Sequence, residues 1–261
     1  MEKAQKSIFI TGAAAGIGRA TAQRFAAAGW RVGLYDINFA GVSALAGEIG
    51  AAAVAGRLDV TDAEAFAAAL ADFAAGAGGR IDVLFNNAGV LATGDFEAVP
   101  LARCHQLIDI NAKGVVNGCH AALPYLKAAQ GRVINMASAS SLYGTPAFAV
   151  YSASKFFVRG LTEALNIEWA RYGVYVCDVS PLFVDTPMVA AMTDKPRSVS
   201  ALGVRLSASD IAAVVYRAAT CSRWCGPVHW LPGVQTRLLA LLNRLLPSRL
   251  ARASSKLISG Y

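Results

Sequence analysis

Tyr151 and Lys155 stand four residues apart in the stretch YSASKFFVRGLTEAL. On a helix that spacing puts both side chains on one face, about a turn from each other. A tyrosine with its ordinary pKa of about 10 is a poor base at neutral pH, and a neighbouring ammonium favours the phenolate. The two therefore form a proton-transfer unit, although alone they are equally an ordinary helix surface. A second grouping is Gly12, Gly16 and Gly18 in TGAAAGIG, where the apolar run SIFIT turns into a helix-like segment. Glycines there let the backbone turn tightly and approach a phosphate, while free N–H groups and the helix dipole favour its charge. A plain strand-to-helix turn would use the same glycines, but the strand and helix context favours a dinucleotide pyrophosphate held by Gly12, Gly16, Ile17 and Gly18. Asp36 follows Gly18 by 18 residues at the end of the second apolar run. There it either accepts hydrogen bonds from the adenosine ribose or caps the next helix. A carboxylate in that place repels the 2′-phosphate of NADP, and Ala15 offers no basic contact, so NAD is the expected cofactor.

The elements that must position these groups alternate. Apolar or β-branched runs at 7–11, 31–36, 52–58, 82–86, 131–136, 174–180 and 227–230 are separated by helix-like segments at 16–28, 39–48, 62–76, 100–128, 150–172 and 208–220. That alternation predicts βαβ units around a parallel sheet. Gly29 is placed to end the first helix, and Thr61 and Asp62 to start the third. The expected fold class is α/β: a single doubly wound domain of about seven parallel strands with a C-terminal amphipathic helical extension. The domain covers 1–232, including a substrate lid at 187–206 with few strand or helix signals; the extension covers 233–261.

The chain has 261 residues, 55% of them hydrophobic, which supplies a large core and excludes intrinsic disorder. Its net charge is +7, from 24 Lys and Arg against 17 Asp and Glu. The excess is local: residues 1–196 carry 15 basic and 16 acidic side chains, whereas 197–261 carry 9 basic ones and only Asp210. With no nucleic-acid recognition motif among the basic residues, no nucleic-acid partner is expected. Five cysteines at irregular spacings predict reduced thiols. His105, His120 and His229 form no ligand set with them, nor do Cys221 and Cys225, so no metal is expected. The short N-terminal apolar run does not read as a secretory signal, and the longest uncharged stretch, 133–154, is too rich in Ser, Gly and Pro to span a bilayer. A cytoplasmic protein without a transmembrane helix is expected.

Taken together, Thr11-Gly12-x-x-x-Gly16-x-Gly18, Asn86-Asn87-Ala88-Gly89, Asn111, Ser138 and Tyr151-x-x-x-Lys155 have the order and spacing of the short-chain dehydrogenase/reductase family, which the sequence resembles over nearly its whole length. The resemblance implies a Rossmann fold and hydride transfer between a nicotinamide dinucleotide and a CH–OH group. It implies that Tyr151 exchanges the hydroxyl proton and that Lys155 lowers the Tyr151 pKa and holds the nicotinamide ribose. Ser138 would hydrogen-bond the substrate oxygen, and Asn111 would hold a water linking Lys155 to solvent. It implies cofactor contacts at Asp59 and Val60, at Asn87, Ala88 and Gly89, and at Pro181, Val184 and Thr186. Asn87 is alternatively a brace for the sheet. Leu182 departs from the family, which usually has glycine there. A homodimer or homotetramer is implied, through the helices at 100–128 and 150–172.

By the same analogy Val90, Leu91, Leu142, Phe148, Leu182, Phe183, Met188 and Met192 make an apolar wall with Tyr143 as its polar tip, suited to a bulky hydrophobic secondary alcohol or ketone. Several of these are equally core residues. Arg197 and Arg205 are expected to be solvated lid charges. In the tail, Leu238, Leu239, Leu241, Leu242, Leu245 and Leu246 cover an arc of about 160° on a helix from 236 to 246, with Arg237 and Arg244 beside it and Arg249, Arg252 and Lys256 beyond Pro247. Such an element makes peripheral contact with an anionic membrane through 236–256, covers a lipophilic pocket, or packs on a neighbouring subunit, with packing against the protein as the default. The leading expectation is an NAD-dependent dehydrogenase. Its rivals are a 3-oxoacyl-thioester reductase and a non-catalytic dinucleotide-binding module with a membrane-surface tail.

Overall fold

The computed structural model describes residues 5–192, 195–222 and 226–261. Seven parallel strands form one sheet: β1 (Ser7–Thr11), β2 (Arg31–Asp36), β3 (Ala53–Arg57), β4 (Val83–Asn86), β5 (Arg132–Met136), β6 (Tyr175–Val179) and, after two short strands considered below, β9 (His229–Trp230). Their spatial order is β3-β2-β1-β4-β5-β6-β9. The strands are apolar along their length because both sheet faces are covered. On β1, Ile8 and Ile10 face one layer and Phe9 the other. The first layer is built by α1 (Gly16–Ala27), α2 (Phe39–Ile49) and, late in the chain, α9 (Ala208–Thr220). The second is built by α3 (Ala63–Ala75), α5 (Gly114–Ala129) and α6 (Ala149–Glu168), with Phe66, Phe73, Leu126 and Val158 fully buried or nearly so.

Gly29, with φ +79°, follows α1, and Asp62 caps α3 by accepting from Ala65 N at 2.9 Å. The single helix predicted over 100–128 is divided. α4 (Leu101–Ile108) runs through a π-helical turn at Asp109–Lys113 into α5. The extra residue in such a turn re-aims the side chains around it, and it is where Asn111 sits. β9 is only two residues long and is fastened by side chains: His229 Nδ1 lies 2.6 Å from the buried Asp178 carboxylate and Nε2 3.0 Å from Glu163.

The described residues of 187–206 are more regular than their composition predicts. α7 (Pro187–Ala190) and α8 (Arg197–Leu202) each begin beside a proline, whose fixed φ suits a first helical turn. β7 (Val184–Asp185) and β8 (Leu206–Ser207) pair in parallel at the two ends of this region. In the tail α10 (Val234–Leu245) is the amphipathic helix the leucine pattern predicts, and Gly233, with φ +81°, precedes it. A second helix, α11 (Ser248–Ser259), follows Pro247 and packs on α8. It was not legible as a helix because its apolar residues are few. Cys104, Cys119, Cys177 and Cys221 are free thiols, and Cys225 lies outside the described residues.

Candidate active site

The strand order reverses between β1 and β4, so the helices after these strands leave on opposite sides and a crevice opens at the strands' C-terminal ends. The glycine loop fills one lip of it. Gly12 and Gly16 have φ of +65° and +52°, which side chains disfavour. A Cβ on Gly12 would stand 2.8 Å from Ala88 Cα, and one on Gly18 would stand 2.1 Å from the Gly12 carbonyl oxygen. Gly18 therefore lets α1 begin against the loop, and Gly12 lets β1 and β4 close together. α1 starts from Ala15, with no side-chain cap and no acidic residue in its first turn, so its N-terminal N–H groups face the crevice without a competing carboxylate.

Gly12, Gly16, Ile17, Asp36, Asn87, Ala88, Gly89, Pro181, Val184 and Thr186 line this cleft together with Ser138, Tyr151 and Lys155. Asp36 does not cap α2; Asn38 does, accepting from Gly41 N at 3.1 Å. The Asp36 carboxylate accepts from Ala14 N at 3.0 Å and Asn38 N at 2.9 Å, which fixes it at the cleft edge. Arg19, the basic side chain that follows the glycine loop, is paired with Glu48 at 2.7 Å. Asn87 both lines the cleft and braces the sheet, donating to the Thr11 and Gly12 carbonyls at 3.0 Å. The Asp59 carboxylate turns to Thr61, accepting from its N–H at 2.9 Å, while Val60 is buried against Gly114. Neither is among the residues that line the cleft.

At the other lip β5 ends and Ser138 opens a short 3-10 turn, its hydroxyl oxygen accepting from Ser140 N at 3.2 Å. Tyr151 and Lys155 come from the first two turns of α6, and the Lys155 ammonium lies 5.6 Å from the Tyr151 ring centre. Lys155 donates to the Met136 carbonyl at 2.8 Å, and burial lowers its pKa to about 8. Burial raises the Tyr151 pKa, and the hydrogen bond from Ser138 opposes that rise without overcoming it. The resemblance led us to expect a lowered tyrosine; desolvation of the phenolate outweighs the hydrogen bond that stabilises it. Asn111 is fully buried and does not line the cleft. Its amide accepts from Val90 N at 2.8 Å and donates to Val90 O at 2.9 Å and Ser154 Oγ at 3.2 Å. Only Gly89 separates it from Lys155: a Cβ on Gly89 would lie 3.2 Å from Asn111 Oδ1 and 3.8 Å from Lys155 Nζ.

A second cavity lies beside the cleft and shares Ser138, Leu182 and Phe183 with it as lining. Leu142, Tyr143, Leu182 and Phe183 form its floor as expected, but its roof comes from Leu239, Leu242, Asn243 and Leu246 of the α10 region and from Ala251, Ser255 and Ile258 of α11. These roof residues were missed in the sequence. The amphipathic pattern of α10 was the one available signal, and it left pocket covering as one of three choices. Of the other wall candidates, Val90 and Met188 line the cleft, Leu91 and Met192 a shallower groove beside it, and Phe148 is core, with its ring centre 6.3 Å from that of Tyr151. Arg197 and Arg205 are exposed and outside the cavity. Among the described residues, no group of three His, Cys, Asp or Glu side chains stands close enough together to hold a metal ion.

The family model described as short chain dehydrogenase matches residues 6–197. Sulfoacetaldehyde reductase 2 of Chromohalobacter salexigens is 36% identical over 221 residues, 82% of this chain and 88% of that one. Among solved structures, a 3-ketoacyl-(acyl-carrier-protein) reductase from Brucella melitensis complexed with NADH superposes with a TM-score of 0.81 at 28% identity, over 88% of this chain and 98% of that one. A short-chain dehydrogenase/reductase from Burkholderia phymatum in complex with NAD gives 0.80 at 26% identity over 94% of each. The matched segment ends at α8, so the tail that roofs the second cavity lies outside it. From its glycine loop to its Tyr-Lys helix, then, the chain belongs to the short-chain dehydrogenase family, and it is an oxidoreductase that acts on CH–OH groups.

Proposed function

We propose that the protein interconverts a bulky hydrophobic secondary alcohol and its ketone with NAD as hydride carrier. The observation that carries this reading is that the dinucleotide cleft and the tail-roofed apolar cavity share Ser138, Leu182 and Phe183 in their walls, which we take as the junction between them. The reacting carbon sits at that junction and the apolar remainder of the substrate extends under α10 and α11. Leu182, where the family usually carries glycine, adds a side chain to the wall of both spaces.

The glycine cradle and the uncapped start of α1 fit a pyrophosphate, and Asp36 fits the adenosine ribose. NAD is preferred because Asp36 repels a 2′-phosphate and Arg19, held by Glu48, is not available to neutralise one. The bound dinucleotide supplies or accepts the hydride. Tyr151 gives its phenolic proton to the carbonyl oxygen in reduction and takes it back in oxidation. Ser138 donates a hydrogen bond to the same oxygen and stabilises the charge that develops there. Lys155 holds the nicotinamide ribose and carries positive charge beside Tyr151. Asn111, across Gly89 from Lys155, fixes the Val90 turn and serves the water-linked proton path. Asp59 and Val60 stand behind the adenine side. Residues 1–232 form the catalytic unit with its lid, and 233–261 is an extension that completes the substrate space. Exposed Leu101 and Ile108 on α4 and Phe156, Phe157 and Ile167 on α6 support a homodimer or homotetramer.

Purified protein assayed against hydrophobic secondary alcohols and ketones should turn over with NAD in preference to NADP, and Tyr151→Phe should remove turnover while dinucleotide binding persists. Retained turnover in that variant sinks the catalytic assignment; preference for NADP sinks the role given to Asp36. A 3-oxoacyl thioester remains the second reading, because the similar Brucella melitensis structure is a 3-ketoacyl-(acyl-carrier-protein) reductase. Comparing a 3-oxoacyl thioester with a hydrophobic ketone in the same assay separates the two.

A further inference from the structure

The leucines of α10 and its C-terminal end are divided: Leu239, Leu242 and Leu246 line the cavity, while a second apolar stripe faces outward. Gln235 donates to the Leu202 carbonyl at 3.0 Å, Asn243 donates to the Leu142 carbonyl at 2.6 Å, and Thr236 is buried. These polar side chains hold the helix to the body beside Leu239 and Leu246. Val234, Leu238, Leu241 and Leu245 are 82%, 52%, 53% and 69% exposed. A helix on the surface of a globular protein ordinarily turns such a stripe to the core. α11 repeats the arrangement: Ala251 and Ser259 are buried beneath it, while Leu250 and Leu257 are 55% and 75% exposed. Arg237, Arg244, Arg249, Arg252 and Lys256 are exposed on these same helices and their junction, and none of them pairs with a carboxylate among the described residues.

We propose that the outer face of α10 and α11 docks on an anionic lipid bilayer, with both helices lying in the plane of the interface. Exposed leucines that can enter the acyl boundary, flanked by cations that can meet lipid phosphates, are the two components of interfacial binding. Charge selects this occupant over a second copy of the chain. Residues 234–261 contain no Asp or Glu, so a two-fold contact through this face would bring ten cations together with no carboxylate of these helices to offset them, whereas an anionic surface neutralises them. Among the described residues no helix is long and apolar enough to cross a membrane, so the mode is contact from one side.

The cavity adds a use for the contact. Leu242 of α10 and Ser254 of α11 line it and are also exposed, so its lining reaches the surface on the two docking helices. A lipophilic alcohol would pass from the bilayer to the cavity without crossing water; this part rests on the hydrophobic-substrate reading above, whereas the docking does not.

Flotation of the full-length protein with phosphatidylcholine vesicles, with and without phosphatidylglycerol, tests docking without any substrate. Binding is expected only to the anionic vesicles and is expected to weaken with salt. Each basic residue replaced by Gln should weaken it on the order of five-fold. The triple variant Leu238→Ser, Leu241→Ser, Leu245→Ser should lose it while retaining wild-type turnover of a small water-soluble ketone. If that variant misfolds, Arg244→Gln, Arg249→Gln, Arg252→Gln and Lys256→Gln, all at exposed positions, make the same test. Failure of the wild-type protein to float with anionic vesicles overturns the proposal, as does undiminished flotation of the combined Gln variant. A wild-type dimer that the leucine variant dissociates also overturns it, by assigning the face to a second copy. Activity on hydrophobic alcohols is read in a separate assay, so the two readings fail separately.

Discussion

α9 and α10 are consecutive helices of similar length, and the protein uses them in opposite ways. α9 puts Ile211, Val215 and Ala218 against the sheet at full burial. α10, with more leucine, leaves Leu238, Leu241 and Leu245 more than half exposed and turns Asn243 and Gln235 inward. The difference extends to the two regions they belong to, a nearly neutral body and a strongly basic C-terminal quarter. Periodicity establishes that a helix has two faces. Which face the protein keeps for itself depends on what the rest of the chain offers to bury.

If that contrast is right, substitutions in the body should act on chemistry and folding, and substitutions in the tail on substrate size and surface binding. The largest effect belongs to Tyr151→Phe, expected to lower kcat by about 10²–10⁴-fold with dinucleotide affinity unchanged by titration calorimetry. Gly18→Ala forces a Cβ to within 2.1 Å of the Gly12 carbonyl. It should abolish dinucleotide binding and cost about 1–3 kcal/mol of stability, seen as a lowered Tm. Leu239→Ala with Leu246→Ala removes part of the cavity roof, and KM for a bulky hydrophobic substrate should rise roughly ten-fold while kcat for a small ketone stays within about two-fold. An equal loss on both substrates would mean that the roof braces the catalytic residues instead.

The pH dependence probes the body again. Burial lowers the Lys155 pKa to about 8 and raises that of Tyr151, so protonated tyrosine persists as Lys155 loses its charge. Lys155 must be charged to return a proton to Tyr151, so reduction should slow as pH rises through about 8; a flat profile would remove Lys155 from the proton path. The smallest effect is expected of Leu241→Ser, within about 0.5 kcal/mol of wild type in denaturant unfolding, because its side chain points away from the body.

Much of the body was legible from order and spacing. β1, β2 and α9 fall at the predicted residues, and the cleft gathers the glycine loop, Asp36, Ser138, Tyr151 and Lys155. Local patterns sufficed there because a parallel sheet covered on both faces demands apolar runs, and a phosphate loop demands glycines at particular φ. The interruption between α4 and α5 was not legible, since a π-helical turn differs from its flanks by one residue of register. Nor was the engagement of Asn111 with Val90 and Ser154, which are 21 and 43 residues away in sequence.

The sequence by itself determined the family, the sheet, the residue types that gather in the cleft and the confinement of the basic excess to the last quarter, because each is written as residue type at short or regular spacing. Tertiary structure alone decided that Tyr151 is pushed upward by burial, that Arg19 pairs with Glu48 and that the tail roofs the apolar cavity with Leu238, Leu241 and Leu245 turned out. Those outcomes depend on desolvation and on contacts between distant segments, and neither is encoded in any one stretch of the chain.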